Sequence, residues 1–306
     1  MKLIDFGKSS IKVPQIAVGC MGLAGLSQPE AERFIEFCLE NGANFFDHAD
    51  IYGSGECEKL FGKVLKSNPG LRDKIILQSK CGIVPGKMYD CSEEHILKAA
   101  DASLKRLNTE QLDVLLLHRP DALMEPEEVA SAFEKLHTSG KVKFFGVSNH
   151  KPSQIELIKK YCGLPVTANQ LQLSITECNM IANGMEVNMS TPGAADRDGS
   201  VLDYCRLNGI TVQAWSPYRY GFFEGIYLDN VKFPELNAKL KEIAELYGIT
   251  PSGVVAAWIL RHPAKIQMIT GTMKTLRMKE IFNGAEINIT REQWYEIYCS
   301  SGRILP

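Results

Sequence analysis

Ala43-Asn44-Phe45-Phe46-Asp47-His48-Ala49-Asp50-Ile51-Tyr52-Gly53 opens as a short apolar run and closes in polar chemistry. Read as a strand over 43–46, it presents a carboxylate, Asp47, at its end and a phenol, Tyr52, one loop further on. A helical pattern over about 56–67 follows. The same strand–helix unit recurs on both sides. Before it stand a strand at 16–19 and a helix at 29–41, with Phe34, Ile35, Cys38 and Leu39 at helical spacing and Gly42 as the stop. After it come a strand at 75–79 and a helix that Ser92 is placed to cap, with Glu93 and Glu94 favouring its first turn.

The pattern continues to the end of the chain. Strands are expected at 112–117, 142–147, 165–171, 210–215 and 266–269. Helices are expected at about 126–138, 152–161 (with Pro152 in its first turn), 197–208, 234–247, 251–261 and 275–283, and a final one near 291–299 behind Thr290 as cap. Residues 2–13 read as a hairpin turning at Gly7-Lys8-Ser9-Ser10. After it there are eight strands, each followed by a helix, mostly short apolar runs of the kind found when both sheet faces are covered. Eight such units in 306 residues favour an α/β fold of the (β/α)8 TIM-barrel type over an open doubly wound sheet. No composition break marks a linker, so residues 1–306 are expected to form one domain. The long irregular stretches at 172–196 and 217–233 both follow strands and are expected to overhang the C-terminal face.

Composition excludes several function classes. A formal charge of −2 and a pI near 6.3 offer no basic excess for nucleic acid. No apolar stretch approaches the roughly 20 residues of a membrane span. The first six residues carry Asp5 and lack the apolar core of a signal peptide, so a cytoplasmic location is expected. Nine scattered cysteines without a Cys-x-x-Cys read as reduced thiols. Cys81, Cys91 and His95 match no zinc spacing, and no metal is expected.

A barrel builds its active site at the C-terminal strand ends. Here those ends carry Gly19-Cys20-Met21-Gly22, Asp47 through Tyr52, Lys80, His118, Ser148-Asn149, Asn169-Gln170, Trp215-Ser216 and Gly271-Thr272. Four are titratable in a telling way. A phenol ionises near pH 10, and a neighbouring ammonium is expected to lower that value, bringing it closer to its working pH as an acid. Lys80 is placed to supply the charge, Asp47 to hold Lys80 protonated, and His118 to position a carbonyl oxygen. Such an acid protonates an alkoxide as it forms. Reduction also needs a hydride that no side chain delivers, which implies a nicotinamide cofactor. Taken singly, Asp47 and Lys80 also read as a surface ion pair, and His118 and Trp215 as structural residues. Their coincidence at successive strand ends favours a site. Gly53-Ser54-Gly55 begins like a dinucleotide-binding glycine signature, but Glu58 stands where its last glycine belongs, so a cofactor must be held another way.

These segments resemble the aldo-keto reductases, a family of (α/β)8 barrels that use NADPH without a Rossmann domain. The likeness is carried by Asp47 through Gly53, Leu115-Leu116-Leu117-His118, Gly146-Val147-Ser148-Asn149 and Ala214-Trp215-Ser216-Pro217, and spans nearly the whole chain. It implies a catalytic tetrad of Asp47, Tyr52, Lys80 and His118. It implies nicotinamide contacts from Ser148, Asn149 and Gln170 and stacking on Trp215, with Gly19, Cys20, Met21 and Asp47 along the same site. Ser216, Pro217, Phe222 and Phe223 are implied along the pyrophosphate. Gly271, Thr272, Met273, Lys274 and Arg277 match the segment for the adenosine 2′-phosphate, which favours NADPH over NADH. The chain departs from the family in Met273, often polar in relatives, and in Thr270, often proline. Its 179–198 stretch resembles a bacterial oxidoreductase subgroup with a long loop after the sixth strand.

An NAD(P)H-dependent oxidoreductase acting on a small-molecule carbonyl is therefore expected, with an aldehyde, ketone or quinone as substrate. Met21, Leu23, Ile51 and Tyr89 are candidate pocket walls. Two other readings stay open: a cofactor-binding redox-sensing subunit with little turnover, and a lyase or isomerase using Lys80 as a Schiff base. Substrate identity, physiological direction and oligomeric state are not legible.

Overall fold

A computed structural model describes residues 1–305. The hairpin comes first, β1 (Leu3–Asp5) paired antiparallel to β2 (Lys12–Pro14). Eight parallel strands then close on themselves. In chain order they begin with β3 (Ile16–Gly19), helix α1 (Gln28–Glu40), β4 (Phe45–Asp47), α2 (Glu56–Ser67) and β5 (Ile76–Cys81). A small hairpin follows, β6 (Ile83–Val84) and β7 (Met88–Tyr89), which the sequence pattern did not announce. Next are α3 (Glu93–Leu107), β8 (Leu112–Leu117), α4 (Pro126–Thr138), β9 (Val142–Ser148), α5 (Pro152–Tyr161) and β10 (Val166–Gln172). A one-turn α6 (Asn179–Ala182) and α7 (Val201–Asn208) lead to β11 (Thr211–Trp215). A second small hairpin, β12 (Arg219–Tyr220) and β13 (Gly225–Ile226), precedes α8 (Pro234–Tyr247), α9 (Pro251–Leu260), β14 (Gln267–Thr270), α10 (Thr275–Ala285) and α11 (Arg291–Ser300).

The closed order β10-β11-β14-β3-β4-β5-β8-β9 is the expected (β/α)8 barrel. Helix starts follow local chemistry. Ser92 accepts the His95 N–H at 3.3 Å, and Thr290 forms a capping box with Gln293, as expected for both caps. Helix α7 begins four residues later than the sequence pattern implied. Asp196 accepts the N–H groups of Asp198 and Gly199, and Ser200 has φ +56°, so residues 196–200 form a turn.

One core lies between barrel and helices; a second fills the barrel's lower interior with Phe6, Val13, Ala17, Phe45, Val114, Leu116, Ala168 and Ile269. The N-terminal hairpin supplies Phe6 to that floor, 5.7 Å from Phe45 between ring centroids. The floor of the barrel is thereby closed largely with apolar side chains. No single helix among the described residues is long and apolar enough to cross a membrane.

Candidate active site

Asp47 is in register with Gln78 of β5, and Gly19 of β3 with Asp47. Alternation along β5 then puts Lys80 on the same inward face, one step nearer the mouth. Lys80 is completely buried, and its ammonium is held by three acceptors. It donates to Asp47 Oδ2 at 2.9 Å, to the His48 carbonyl at 2.8 Å and to the Tyr52 hydroxyl at 3.0 Å. An ammonium has three N–H groups, so none is left over. Its position is fixed by two residues of one segment, and that segment also carries the phenol.

Beneath Asp47 lies a layer that sequence reasoning missed. Gln78 Nε2 donates to Asp47 Oδ1 at 2.5 Å and Gln170 Nε2 donates to the same oxygen at 3.2 Å. Both also donate to Gln213 Oε1, at 3.0 and 3.1 Å, while Gln213 Nε2 donates to Gln78 Oε1 at 3.2 Å and Gln267 Oε1 at 2.8 Å. Gln267 in turn donates to the Pro14 carbonyl at 2.8 Å. Four buried glutamines from β5, β10, β11 and β14 thus form a connected floor under the carboxylate. The available signal was a glutamine within otherwise apolar strands. Gln170, implied as a nicotinamide contact, has its amide nitrogen engaged in this floor, leaving Oε1 toward the cavity it lines.

Tyr52 reaches the site from a tight turn in which Gly53, Ser54 and Gly55 all have positive φ. Gly55, at φ +91°, has no room for a side chain: a Cβ there would lie 2.9 Å from Arg106 Cδ. The turn packs on a buried ion pair. Glu58 accepts from Arg106 Nε at 2.6 Å and from the Ser79 hydroxyl at 2.6 Å, tying α2 to α3 and to β5. Glu58, which broke the glycine signature in the sequence, is thus a buried brace.

The electrostatics correct one expectation. The Tyr52 pKa is raised above its ordinary value, not lowered; burial is the largest cause and the Lys80 charge only opposes it. Burial also pushes the Lys80 pKa down, but Asp47 and Tyr52 outweigh it and the ammonium ends above its usual value. His118 is pushed down to about 2 by burial, then by Lys80 and Arg119. It is a neutral imidazole. Its Nδ1 is buried without a partner, which leaves Nε2 as the nitrogen open to the cavity. The two rings meet edge to face at 6.1 Å. His48 also stays neutral, pushed to about 3 by burial and then by Lys80, with its ring edge-on to Phe61 at 4.7 Å.

A cavity of about 1480 Å³ stands over these groups and runs from Tyr52 and His118 past Trp215 to Gly271, Thr272 and Arg277. Gly19, Met21, Asp47, Ser148, Asn149, Gln170, Ser216, Pro217, Phe222 and Phe223 line it as well. Cys20, Met273 and Lys274 do not. Cys20 is buried with its Sγ 3.5 Å from the Val18 carbonyl, and Lys274 is an exposed residue preceding α10. Of the candidate walls, Met21, Ile51 and Tyr89 line the cavity, whereas Leu23 is in the core. The 217–233 segment contributes lining residues, but 172–196 contributes none, so only one of the two long segments serves the mouth. The β6–β7 hairpin supplies wall in its place.

The residues implied to hold a nicotinamide are knitted together. Ser148 donates to the Gln170 carbonyl at 2.9 Å, Asn149 Nδ2 to Ser148 Oγ at 2.8 Å, and Trp215 Nε1 to Asn149 Oδ1 at 3.1 Å. Asn149 sits at φ +61°, a conformation asparagine tolerates better than most residues. Phe223 stacks on Trp215 at 5.8 Å and 18°, so one face of the indole is covered from within the chain. A nicotinamide cofactor fits what remains. The cavity joins the phenol to the Gly271–Arg277 end, Trp215 presents a flat ring, and the Thr270 hydroxyl is buried in the wall without a hydrogen-bond partner. Among the described residues no group of three His, Cys, Asp or Glu side chains could hold a metal ion, and all nine cysteines are free.

Comparison with known proteins agrees with this geometry. A family model described as "Aldo/keto reductase family" matches residues 15–299. The chain is 36% identical to "Uncharacterized oxidoreductase YcsN" of Bacillus subtilis over 285 residues, 90% of this chain and 89% of that one. It is 34% identical to a "6-dehydroglucose reductase" of Agrobacterium fabrum, again over 90% and 89%. Among solved structures it is similar to the thermostable aldo-keto reductase Tm1743 in complex with the inhibitor epalrestat. The TM-score is 0.78 at 24% identity, over 98% of this chain and 100% of that one, a likeness of fold.

Proposed function

Since this chain belongs to the aldo/keto reductase family and is an NAD(P)H-dependent oxidoreductase of that type, we propose that it reduces an aldehyde, ketone or quinone to the alcohol, with NADPH as the preferred cofactor and Tyr52 as proton donor. The observation that carries the reading is the buried Lys80 ammonium, bonded at once to the Asp47 carboxylate and the Tyr52 hydroxyl at the base of an open cavity.

When bound, the nicotinamide cofactor supplies the hydride. The chain's own residues manage the proton and the geometry. Tyr52, protonated at neutral pH, gives its phenolic proton to the substrate oxygen as negative charge develops there. The Lys80 N–H held on the phenol oxygen strengthens as that oxygen turns anionic, which favours the transferred state. Asp47, fixed by the glutamine floor, keeps the ammonium charged and aimed. Neutral His118 directs the carbonyl oxygen through Nε2 toward Tyr52. Ser148, Asn149 and Gln170 are assigned to the nicotinamide carboxamide and Trp215 to its ring. Ser216, Pro217 and Phe222 are assigned to the pyrophosphate. Thr272 and Arg277, with exposed Lys274 nearby, are assigned to the 2′-phosphate, where a guanidinium gives two-point recognition. The barrel draws strands from near both ends of the chain, and residues 1–306 are taken to act as one domain.

The test is multiple-turnover oxidation of NADPH with a panel of carbonyls, NADH run alongside. Turnover that Tyr52→Phe removes supports the reading. NADPH binding without turnover of any carbonyl would favour a redox-sensing role.

A further inference from the structure

We propose that the substrate end of the cavity accepts a carbonyl compound that also carries a carboxylate, and that Arg119 pairs with it. This rests on the reductase reading above and narrows its substrate class.

Arg119 directly follows His118, is half-buried, and lines the same cavity. Its guanidinium carbon lies 5.8 Å from the Trp215 ring centroid. Among the described residues no carboxylate oxygen comes within 4.0 Å of its side-chain nitrogens. The acid nearest in sequence, Asp121, is engaged elsewhere, accepting the N–H groups of Cys91 and Leu123 at 2.9 Å each. Three carboxylates line the cavity. Asp47 is bound to Lys80, Asp229 lies 3.4 Å from Lys241, and Glu280 stands one turn beyond Arg277 on α10, at the end assigned to cofactor phosphate. Lys87, at the tip of the β6–β7 hairpin, lines the substrate side too and has no ion-pair partner among the described residues. The substrate end therefore holds cations that no anion of the chain answers.

A half-buried guanidinium without a counter-ion carries a desolvation cost that a bound anion offsets. Its planar fork matches a carboxylate at two points. The cofactor's phosphates belong with Thr272 and Arg277 at the other end, so they do not account for Arg119. A substrate whose carbonyl oxygen meets Tyr52 and His118 brings a carboxylate a few bonds away to the next residue. Ile51, Met88 and Tyr89 give the wall between them an apolar, partly aromatic surface. A flat aldehyde acid has the chemistry this end recognises.

Reduction of 4-carboxybenzaldehyde and of its methyl ester by NADPH tests the charge at constant ring and aldehyde. The expected kcat/KM for the acid is about tenfold or more above that for the ester, carried mainly in KM and shrinking with added salt. Arg119→Gln should bring the acid-to-ester ratio close to one, and Arg119→Lys should restore part of it. Calorimetric titration of 4-(hydroxymethyl)benzoate into wild-type and Arg119→Gln protein, each with NADP+, makes the same comparison without turnover. Equal kcat/KM for acid and ester, or a preference that Arg119→Gln leaves in place, overturns the carboxylate assignment while the ester's turnover upholds the reductase reading. Acid binding that Arg119→Gln abolishes, with neither aldehyde turned over, keeps the carboxylate site and overturns the reductase reading. Neither turnover nor binding overturns both.

Discussion

The Lys80 ammonium lies 3.0 Å from the Tyr52 hydroxyl and donates a hydrogen bond to it from a position with no exposure to solvent. Lys80 also stands 4.7 Å from the centroid of the Tyr52 ring. The charge thus holds the phenol as well as acting on its oxygen. Tyr52→Phe keeps the ring and removes only the donor. It should lower kcat by about 10²–10⁴-fold, the usual worth of a positioned acid, while NADPH still quenches protein fluorescence with an affinity close to wild type. Retained turnover would remove Tyr52 from its role.

Lys80 and Asp47 are buried together, so breaking the pair costs more than deleting it. Lys80→Met leaves a buried carboxylate without its cation and should destabilise the fold by about 3–5 kcal/mol. Asp47→Asn added to Lys80→Met removes the stranded charge and should recover much of that loss in urea unfolding. Activity should stay abolished in both. A double variant that regained turnover would show that the pair serves structure alone.

That Asp47, Tyr52, Lys80 and His118 come together was legible because Asp47, Lys80 and His118 each stand at the end of an expected strand, where an inward-pointing polar group has few structural reasons to stand. The barrel was legible for a related reason: eight apolar runs alternate with segments of helical periodicity. The glutamine floor was not. Gln78, Gln170, Gln213 and Gln267 meet only once the barrel closes, and the partners Gln78 and Gln213 are 135 residues apart. The direction of the Tyr52 pKa was missed because an ammonium neighbour can be read from spacing, whereas the desolvation that outweighs it depends on burial. The start of α7 was misplaced because Asp196 competes for backbone N–H groups that a helix would otherwise use.

Acid should unfold the protein through its histidines. His48, His118 and His150 are held at about 3, 2 and 4, each chiefly by burial, and half-exposed His262 at about 4. Unfolded imidazoles titrate near 6.5, so below that pH the unfolded chain binds more protons and stability falls as pH drops. Asp50 works against this. Burial and then Glu58 raise it to about 7, so it contributes stability at low pH that is lost as pH rises through 7. One carboxyl against at least three buried imidazoles leaves a net loss toward acid. Urea midpoints should decline steeply between pH 6.5 and about 4, and His48→Phe should reduce the slope by about one proton. A flat profile across that range would mean that the histidines are not buried as neutral rings.

Cofactor choice is assigned to Arg277, which lines the cavity and has no ion-pair partner among the described residues. Arg277→Ala should raise KM for NADPH about ten- to a hundredfold, the worth of a charge-assisted contact, with little effect on NADH. Steady-state kinetics with both cofactors and one aldehyde measure this. Equal losses for the two would place Arg277 in the fold instead of at the 2′-phosphate.

Gln213 separates the support of the site from its chemistry. It lies on β11, four strands from Lys80 either way around the barrel, and does not line the cavity, yet it donates to Gln78 and Gln267 and accepts from Gln78 and Gln170. Gln213→Leu strands the carbonyl oxygens of Gln78 and Gln267 inside the barrel. Each buried acceptor without a donor costs about 1–3 kcal/mol, which should appear as a lower urea midpoint. Both amide donors to Asp47 remain, but each loses its second anchor, so the carboxylate loosens under Lys80. The expected kinetic result is a fall in kcat smaller than that of Tyr52→Phe, with KM for NADPH little changed, because misalignment here acts only through the Lys80–Tyr52 bond. If kcat holds at the wild-type value while stability falls, the glutamine floor supports the barrel and not the Lys80–Tyr52 bond.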